Sequence, residues 1–427
     1  MDIQQLYELF KSSAGVTTDS RSIKKGQLYF ALKGDNFNGN LFAEQALKAG
    51  AAYVVIDEAA YTMNERCIVV ANVLDTLQQL ALLHRKKTNL KAVIAITGSN
   101  GKTTTKELVA TVLSTTFRTH FTKGNLNNHI GIPLTLLAMP ADTEIAVIEM
   151  GANHQKEIES YCKYVEPTYG IITNCGKAHL EGFGGIEGIR KGKGELYDYM
   201  HHHHGKVFVN GDDITLLNML QERTIKGYIS YGNNESNTCN SKILADNPFL
   251  KIQFENMEIN SHLFGSYNYS NIMCAIAVGK YFDIENQRIK QAIENYNPTN
   301  ARSQVIEKNG YQLILDAYNA NPTSMQHALE SFAKSSDKRK IVILGDMFEL
   351  GQDAPKEHQF IADLCEKLQL DTIVLVGKDF SNTRTSDNVL KFPTAAEAQN
   401  WFRQQDFSDA EILLKGSRGM KMEKVVE

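Results

Sequence analysis

The run Ala92-Val-Ile-Ala-Ile-Thr97, joined directly to Gly98-Ser-Asn-Gly-Lys-Thr-Thr-Thr105, limits what this chain can fold into more than any other segment. A short apolar stretch rich in β-branched residues reads as a buried strand, and a glycine-bracketed turn follows it. A Lys-Thr pair then opens a helical pattern. Strand, tight loop and helix in that order build a phosphate cradle. Successive backbone N–H groups converge on one anion, the helix N-terminus adds partial positive charge, and a lysine reaches the terminal phosphates. Gly98, Asn100, Gly101, Lys102, Thr103 and Thr104 are therefore candidate ATP-binding residues, with the Thr103 hydroxyl a candidate Mg²⁺ ligand. A full Walker A loop carries a glycine five residues before Gly101, where this chain has Ile96, so the loop is a shorter variant. A chance glycine turn ahead of a helix is the plain alternative. The joint register of strand, lysine, threonine and helix favours ATP hydrolysis.

With 427 residues the chain is too long for one hydrophobic core, and two or three domains are expected. A net charge of −4 argues against a general nucleic-acid binder. No apolar run approaches the roughly 18 residues of a membrane span. The start Met1-Asp-Ile-Gln-Gln-Leu lacks the basic region and apolar core of a signal peptide. Six scattered cysteines without a CxxC pair fit reduced thiols. A cytoplasmic location is the expectation.

Three blocks follow from the patterning. In residues 1–88, apolar runs at 27–32, 52–56 and 67–70 alternate with helical patterns, one of them placing Val73, Leu74, Leu77, Leu80 and Ala81 on one face. The polar patch Arg85-Lys-Lys-Thr-Asn89 reads as a linker. Residues 89–297 begin with the phosphate loop and carry further apolar strands at 145–150, 169–173 and 206–209, a rhythm that implies a mostly parallel sheet covered by helices. Asn295-Tyr-Asn-Pro-Thr-Asn300 reads as the next boundary. In residues 298–427, strands at 311–315, 340–344, 372–376 and 411–414 are separated by helix-length stretches, the signature of a small doubly wound, Rossmann-like domain. The fold class is thus α/β in three domains. Four histidines at 201–204 invite a metal reading, but adjacent residues point in different directions, so a polar helix-to-strand loop is expected.

Glu149 closes an apolar strand, where a nucleotide-bound Mg²⁺ finds a carboxylate; a solvated strand-end glutamate is the plain alternative. Thr173-Asn-Cys-Gly-Lys-Ala-His-Leu-Glu181 and Arg190-Lys-Gly-Lys-Gly-Glu195 form a second polar cluster. Taken singly, His179 reads as a helix-edge or core histidine, and Lys191 and Lys193 as surface lysines. Asp316-Ala-Tyr-Asn-Ala-Asn-Pro-Thr323 ends a strand; Asn319 and Asn321 can hydrogen-bond, Pro322 can start a helix, and Asp316 could accept from a ribose hydroxyl. Gly345-Asp-Met-Phe-Glu-Leu-Gly351 and Lys415-Gly-Ser-Arg-Gly-Met420 also follow strands, which suggests a ligand-facing rim along one sheet edge.

These strings carry a resemblance. TGSNGKTTT (97–105), TKGNLNNHIGIPLTLL (122–137), IEMGANH (148–154) and NCGKAHLEGFGG (174–185) resemble the ATP domain of the Mur ligase family. YNANP (318–322), LGDMFELG (344–351) and KGSRGMKME (415–423) resemble the branch that adds D-alanyl-D-alanine, and TDSRSIKKGQLYFALKGDNFNG (18–39) also matches. The resemblance spans nearly the whole chain. It implies an N-terminal uridine-nucleotide domain at 1–88, a central P-loop ATPase domain at 89–297 and a Rossmann-like domain at 298–427. It also implies an ATP-dependent amide ligase joining D-alanyl-D-alanine to UDP-N-acetylmuramoyl-tripeptide through an acyl phosphate, acting as a monomer. Implied Mg²⁺ ligands are Thr103 and Glu149 for a first ion and His179 and Lys193 for a second. Lys193 resembles the lysine that is carbamylated in this family, which turns an ammonium into an anionic oxygen ligand. Lys102, Lys193 and His179 are the implied catalytic residues. Asn268 and Asn271 resemble adenine contacts, although the family more commonly has histidine where Tyr267 stands. Arg302 and Asp316 would meet the phosphates and ribose. Ser20, Arg21, Lys33, Phe37 and Gly39 resemble the uridine-nucleotide site. Asn125, Asn127 and Asn128 lie where the substrate approaches the phosphates, and Asn319, Asn321, Lys415, Ser417 and Arg418 complete the substrate set.

Two neighbouring ligases compete with this reading. A tripeptide synthetase of the diaminopimelate type carries a DNPR string that is missing here, and the N-terminal uridine-type block disfavours a folylpolyglutamate synthetase. A nucleotide-binding protein without catalysis is the reading from another class; Lys102, Thr103, Glu149, His179 and Lys193 together argue against it.

Overall fold

Leu28–Phe30 is a run of three completely shielded residues, and it forms the inner strand of a small parallel sheet as buried apolar runs do. The computed structural model describes residues 1–299 and 301–427, so Asn300, the last residue of the expected second boundary, lies outside the described residues. The chain forms two compact units.

The first unit comprises Met1–Ala95, Phe117–Gly151 and Glu157–Tyr169. Its four-stranded sheet runs in the order Val16–Thr17, Leu28–Phe30, Tyr53–Ile56, Cys67–Val69, all parallel. Tyr29, Val54 and Ile56 pack there against Ala43 and Ala46. Helix Ile3–Lys11 starts from an Asp2/Gln5 capping box. Helix Val73–Lys87 buries Leu77, Leu80 and Ala81. The polar patch after it is no loose linker. Arg85 to Lys87 complete the helix, and the Arg85 guanidinium donates to the Val165 and Glu166 carbonyls at 3.1 and 3.0 Å. Ile145–Glu149 lies in this unit between Thr119–Phe121 and the first residues of Ala92–Thr97.

The second unit comprises Ile96–Thr116, Ala152–Lys156 and Gly170–Glu427. Here the end of strand Ala92–Thr97 is followed across the sheet by Tyr169–Ile172, Lys206–Asn210, Ile229–Gly232 and Cys239–Asn240. Helix Lys102–Ser114 packs on helix Tyr269–Tyr281, and Gly279 permits the approach: a Cβ there would lie 2.7 Å from Val112 Cγ1. Three antiparallel strands, Lys242–Ala245, Phe249–Phe254 and Met257–Phe264, form a ribbon that the sequence patterning did not isolate. Of the four histidines, His201 and His202 end helix Ile186–His202 and His203 caps it, one turn before strand Lys206–Asn210.

The C-terminal part holds a six-stranded sheet in the order Gln304–Lys308, Tyr311–Asp316, Ala410–Lys415, Arg339–Gly345, Thr372–Val376, Leu390–Phe392. Its first pair is antiparallel and the rest parallel. The four expected strands are present, flanked by two edge strands. Asp316 and Leu344 both pair with Lys415, so the three central strands end together and their polar loops leave from one edge.

Candidate active site

Two glycines of the phosphate loop have no tolerated substitute. Gly98 has φ 140° and Gly101 φ 78°, and a Cβ would lie 2.0 Å from Thr173 Oγ1 at the first and 2.6 Å from Asn271 Oδ1 at the second. The loop is pinned to the segment after strand Tyr169–Ile172. Asn100 N donates to Asn174 Oδ1 at 3.1 Å, Asn174 Nδ2 and Thr173 Oγ1 donate to Asn100 O at 3.1 and 2.6 Å, and Ser99 Oγ donates to Gly176 O at 2.7 Å. Lys102 Nζ lies across the loop, donating to Gly98 O at 2.6 Å and Ser99 O at 2.9 Å. The Thr103 side chain is buried in the first helical turn, and Thr104 beside it is half-buried.

Asn268 and Asn271 support the base of this helix. Thr105 Oγ1 donates to Asn271 Oδ1 at 2.9 Å, Asn271 Nδ2 to Asn268 Oδ1 at 2.8 Å, and Asn268 Nδ2 to Phe264 O at 2.8 Å. Each amide therefore has a structural partner. The neighbouring Tyr267 hydroxyl lies 2.8 Å from Ser303 Oγ in the C-terminal part.

Lys193 and Lys191 part company in the structure. Lys191 is exposed, whereas Lys193 is 1% exposed, with Nζ donating to Ala152 O at 3.0 Å and standing 4.8 Å from the centre of the Phe183 ring. Gly188 and Gly192 make room for Phe183, since a Cβ on either would strike it. His179 has a left-handed backbone, φ 53°, and its Nδ1 meets the Glu349 carboxylate of the C-terminal part. That hydrogen bond lowers the Glu349 pKa against the opposing effect of burial.

The first unit holds the remaining central-block candidates. Glu149 is buried; its N–H donates to Thr122 Oγ1 at 3.0 Å and its Oε1 accepts from Asn127 Nδ2 at 2.8 Å. Asn128 Oδ1 accepts from the Ile130 and Gly131 N–H groups at the start of helix Gly131–Leu137, so its side chain has a local structural role. Asn125 is exposed. In the uridine-type segment, Lys33 and Phe37 sit on the hairpin Lys33–Gly34/Phe37–Asn38, with Lys33 Nζ 3.1 Å from Asp57 Oδ1 and Phe37 stacked on Phe42. Gly39 is irreplaceable, because a Cβ would lie 2.6 Å from Leu32 O. The Tyr29 hydroxyl donates to Gly39 O at 3.1 Å and also hydrogen-bonds Ser20, which brings Ser20 and Gly39 together. Arg21 is exposed and bidentate to Asp19.

The C-terminal rim converges as expected. Lys415 Nζ donates to Asp316 Oδ2 at 2.5 Å and Asn319 O at 3.4 Å, while Ser303 N donates to Asp316 Oδ1 at 3.1 Å. Ser417 Oγ accepts from Phe348 N at 2.9 Å. Asn321 caps helix Pro322–Phe332 through Ser324 N, and its Nδ2 donates to Asn100 Oδ1 at 2.7 Å. Arg302 and Arg418 both lie against the Tyr318 ring.

Sequence reasoning missed the partners that join the two ends of this unit. Lys177 Nζ donates to Glu357 Oε1 at 2.6 Å, and Lys177 N to Thr323 Oγ1 at 2.9 Å. The lysine and threonine lay in quoted motifs, but nothing in the sequence paired them. A further cluster, Asp346, His358 and Asp379, has the residue types of a metal site. Two of its three side chains already serve the backbone: Asp346 accepts from the Asp379 and Phe380 N–H groups, and His358 Nε2 accepts from Met347 N.

Comparison with known proteins gives matches along most of the chain. Residues 13–88 match the description "Mur ligase family, catalytic domain", residues 96–279 "Mur ligase middle domain", and residues 301–418 "Mur ligase, glutamate ligase domain". The UDP-N-acetylmuramoyl-tripeptide–D-alanyl-D-alanine ligase of Bacillus subtilis (strain 168) is 34% identical, over 97% of this chain and 92% of its own length. The ligase of the same name from Escherichia coli (strain K12) is 32% identical, over 96% and 92%. A crystal structure of MurF from Acinetobacter baumannii superposes with a TM-score of 0.88 at 30% identity, covering 99% of this chain and 97% of that one.

Proposed function

The chain belongs to the Mur ligase family, and we propose that it joins D-alanyl-D-alanine to UDP-N-acetylmuramoyl-tripeptide, driven by ATP, as a cytoplasmic monomer in peptidoglycan precursor synthesis. One observation carries the reading beyond the family. The phosphate loop and the YNANP motif of the acceptor-type rim are hydrogen-bonded to each other, Asn321 to Asn100. On this reading the nucleotide side and the acceptor side of the reaction would be coupled through that contact.

A carboxylate is a poor electrophile, so the tripeptide carboxylate first takes the γ-phosphoryl group of ATP, forming an acyl phosphate and ADP. The dipeptide amine then attacks the acyl carbon, and phosphate leaves. Catalysis of phosphoryl transfer is largely positioning and charge stabilisation. Loop N–H groups and Lys102 would hold the phosphates, and Lys102 would exchange its loop carbonyls for phosphate oxygens. Arg302 would add positive charge from the C-terminal rim. Asp316, paired with Lys415 on one oxygen, would meet the ribose from the same rim, and Asn268 and Asn271 would border the adenine.

The donor chemistry beside the phosphate loop suits Mg²⁺, which prefers oxygen ligands: Thr103 offers a buried hydroxyl. Bound there, Mg²⁺ would offset the negative charge of the phosphates. His179 and Lys193 would serve a second ion, Lys193 as its carbamate, whose nitrogen keeps the one N–H that Ala152 O accepts. A ¹³C-bicarbonate carbamate resonance that vanishes in Lys193→Ala tests that assignment; its absence from the parent protein refutes it. For the reaction, phosphate release with UDP-N-acetylmuramoyl-tripeptide should require D-alanyl-D-alanine and reject D-alanine or L-glutamate. Robust ligation of L-glutamate to a folate would overturn the proposal.

A further inference from the structure

Two arginines lie against the ring of Tyr318. Arg302 Cζ lies 3.6 Å from the centre of its ring and Arg418 Cζ 5.2 Å, both within the range of a cation–π contact. Among the described residues, no carboxylate forms an ion pair with either guanidinium. Two cations sharing a ring repel one another, and the negative ring face offsets only part of that repulsion. The arrangement therefore favours an anion at the guanidinium edges.

The backbone around Arg302 is shaped for this placement. Ala301 and Ser303, on either side of it, both have left-handed backbones, φ 53° and 52°. Non-glycine residues in that region are strained and persist only where their surroundings hold them. Both are held from the strand that leads to Tyr318: Tyr318 N donates to Ala301 O at 3.2 Å, and Ser303 N to Asp316 Oδ1 at 3.1 Å. Tyr318 thus grips the Arg302 segment twice, by its backbone and by its ring. Arg418 reaches the same ring from the turn Arg418–Met420, with Nη1 3.4 Å from the Tyr318 hydroxyl.

We propose that Tyr318 is a positioning residue whose ring presents Arg302 and Arg418 as one cationic pair to the anions of the reaction. The proposal rests on the ligase reading for the identity of those anions, the transferring phosphoryl group and a substrate carboxylate. Its geometric core, two guanidiniums held by one ring, stands apart from that reading. The ring face is the working part, because among the described residues the hydroxyl makes only the long contact to Arg418.

The test compares Tyr318→Phe, which keeps the ring, with Tyr318→Leu, which removes it. In ¹⁵N-edited NMR spectra of the whole protein, the Arg302 side-chain N–H signal should show an upfield ring-current shift that survives in Tyr318→Phe and disappears in Tyr318→Leu. That readout needs no substrate, so it separates failure of this proposal from failure of the ligase reading. In the ligase assay Tyr318→Phe should stay within twofold of the parent. Tyr318→Leu should lose at least tenfold in kcat, with KM for the uridine-nucleotide substrate unchanged and the melting temperature preserved. On an Arg302→Ala/Arg418→Ala background, Tyr318→Leu should add no further loss. Equal losses in the Phe and Leu variants, an unshifted Arg302 signal in the parent, or losses that multiply on the double-arginine background would each overturn the proposal.

Discussion

Asn321 Nδ2 donates to Asn100 Oδ1 across 2.7 Å, while the same Asn321 side chain accepts from Ser324 N and caps helix Pro322–Phe332. One residue therefore ends in two jobs, and the two can be separated. Serine is as good a cap as asparagine but too short to reach Asn100. Asn321→Ser should keep the melting temperature and lower kcat several-fold, because the phosphate loop loses its C-terminal contact. Asn321→Ala should lose the same activity and about 1 kcal/mol of stability as well. Full activity in Asn321→Ser, measured beside its melting curve, would show that the contact is idle.

The legible and illegible parts of the site divide along chain distance. The phosphate loop, the buried strands and the Asn321-Pro322 helix start could be read because each depends on neighbours within a few residues. Local patterning also put Asp316, Gly345 and Lys415 at strand ends, and parallel pairing then brought those ends to one edge. The partners of Lys177, His179 and Arg302 could not be read. Glu357 and Glu349 come from the C-terminal domain, and Tyr318 from a strand end beyond a hairpin from Arg302; an isolated glutamate or tyrosine gives no sign of what it will face. Asn271 illustrates the same limit. The motif suggested a nucleotide contact, while the fold sets its amide against Thr105 and under Gly101. The ribbon from Lys242 to Phe264 escaped notice because its alternating burial is mixed with charged positions.

Lys102 should be indispensable to chemistry and dispensable to folding. Its Nζ donates to the loop carbonyls of Gly98 and Ser99, and water can take over those acceptors in a variant. Lys102→Ala should lower kcat by about 10²-fold or more, the range found when one preorganised donor to developing charge is removed. The unfolding midpoint in urea should stay within experimental error of the parent. A near-normal kcat would place Lys102 away from the phosphates.

The thiols should be inert in the folded protein. Burial pushes Cys175, Cys239 and Cys274 each up to about 12. The thiolate is the nucleophile, so at pH 8 only about one thiol in 10⁴ would be reactive at such a site. Raising the pH increases reactivity, and lowering it suppresses reaction further. Peptide mapping after maleimide treatment at pH 8 should find these three unmodified until denaturant is added. Rapid native modification of Cys175, which lies in the segment that pins the phosphate loop, would mean that segment opens readily.

The pair Lys177–Glu357 should respond unequally to loss of its two partners. The Glu357 side chain is 4% exposed and that of Lys177 38%, so only the lysine can turn to water when its partner goes. One carboxylate oxygen, Glu357 Oε2, is already buried without a hydrogen-bond partner among the described residues. Lys177→Met would strip the other oxygen too and leave a buried charge unanswered, a loss of about 1–3 kcal/mol or more. Glu357→Gln keeps an acceptor for Lys177 and removes the buried charge, so it should cost much less. The double variant should be more stable than Lys177→Met alone, because the charge that needed the lysine is gone. Urea unfolding of all three gives the comparison. Equal destabilisation by the two single changes would mean that the pair behaves as a solvated surface bridge, with Glu357 reached by water.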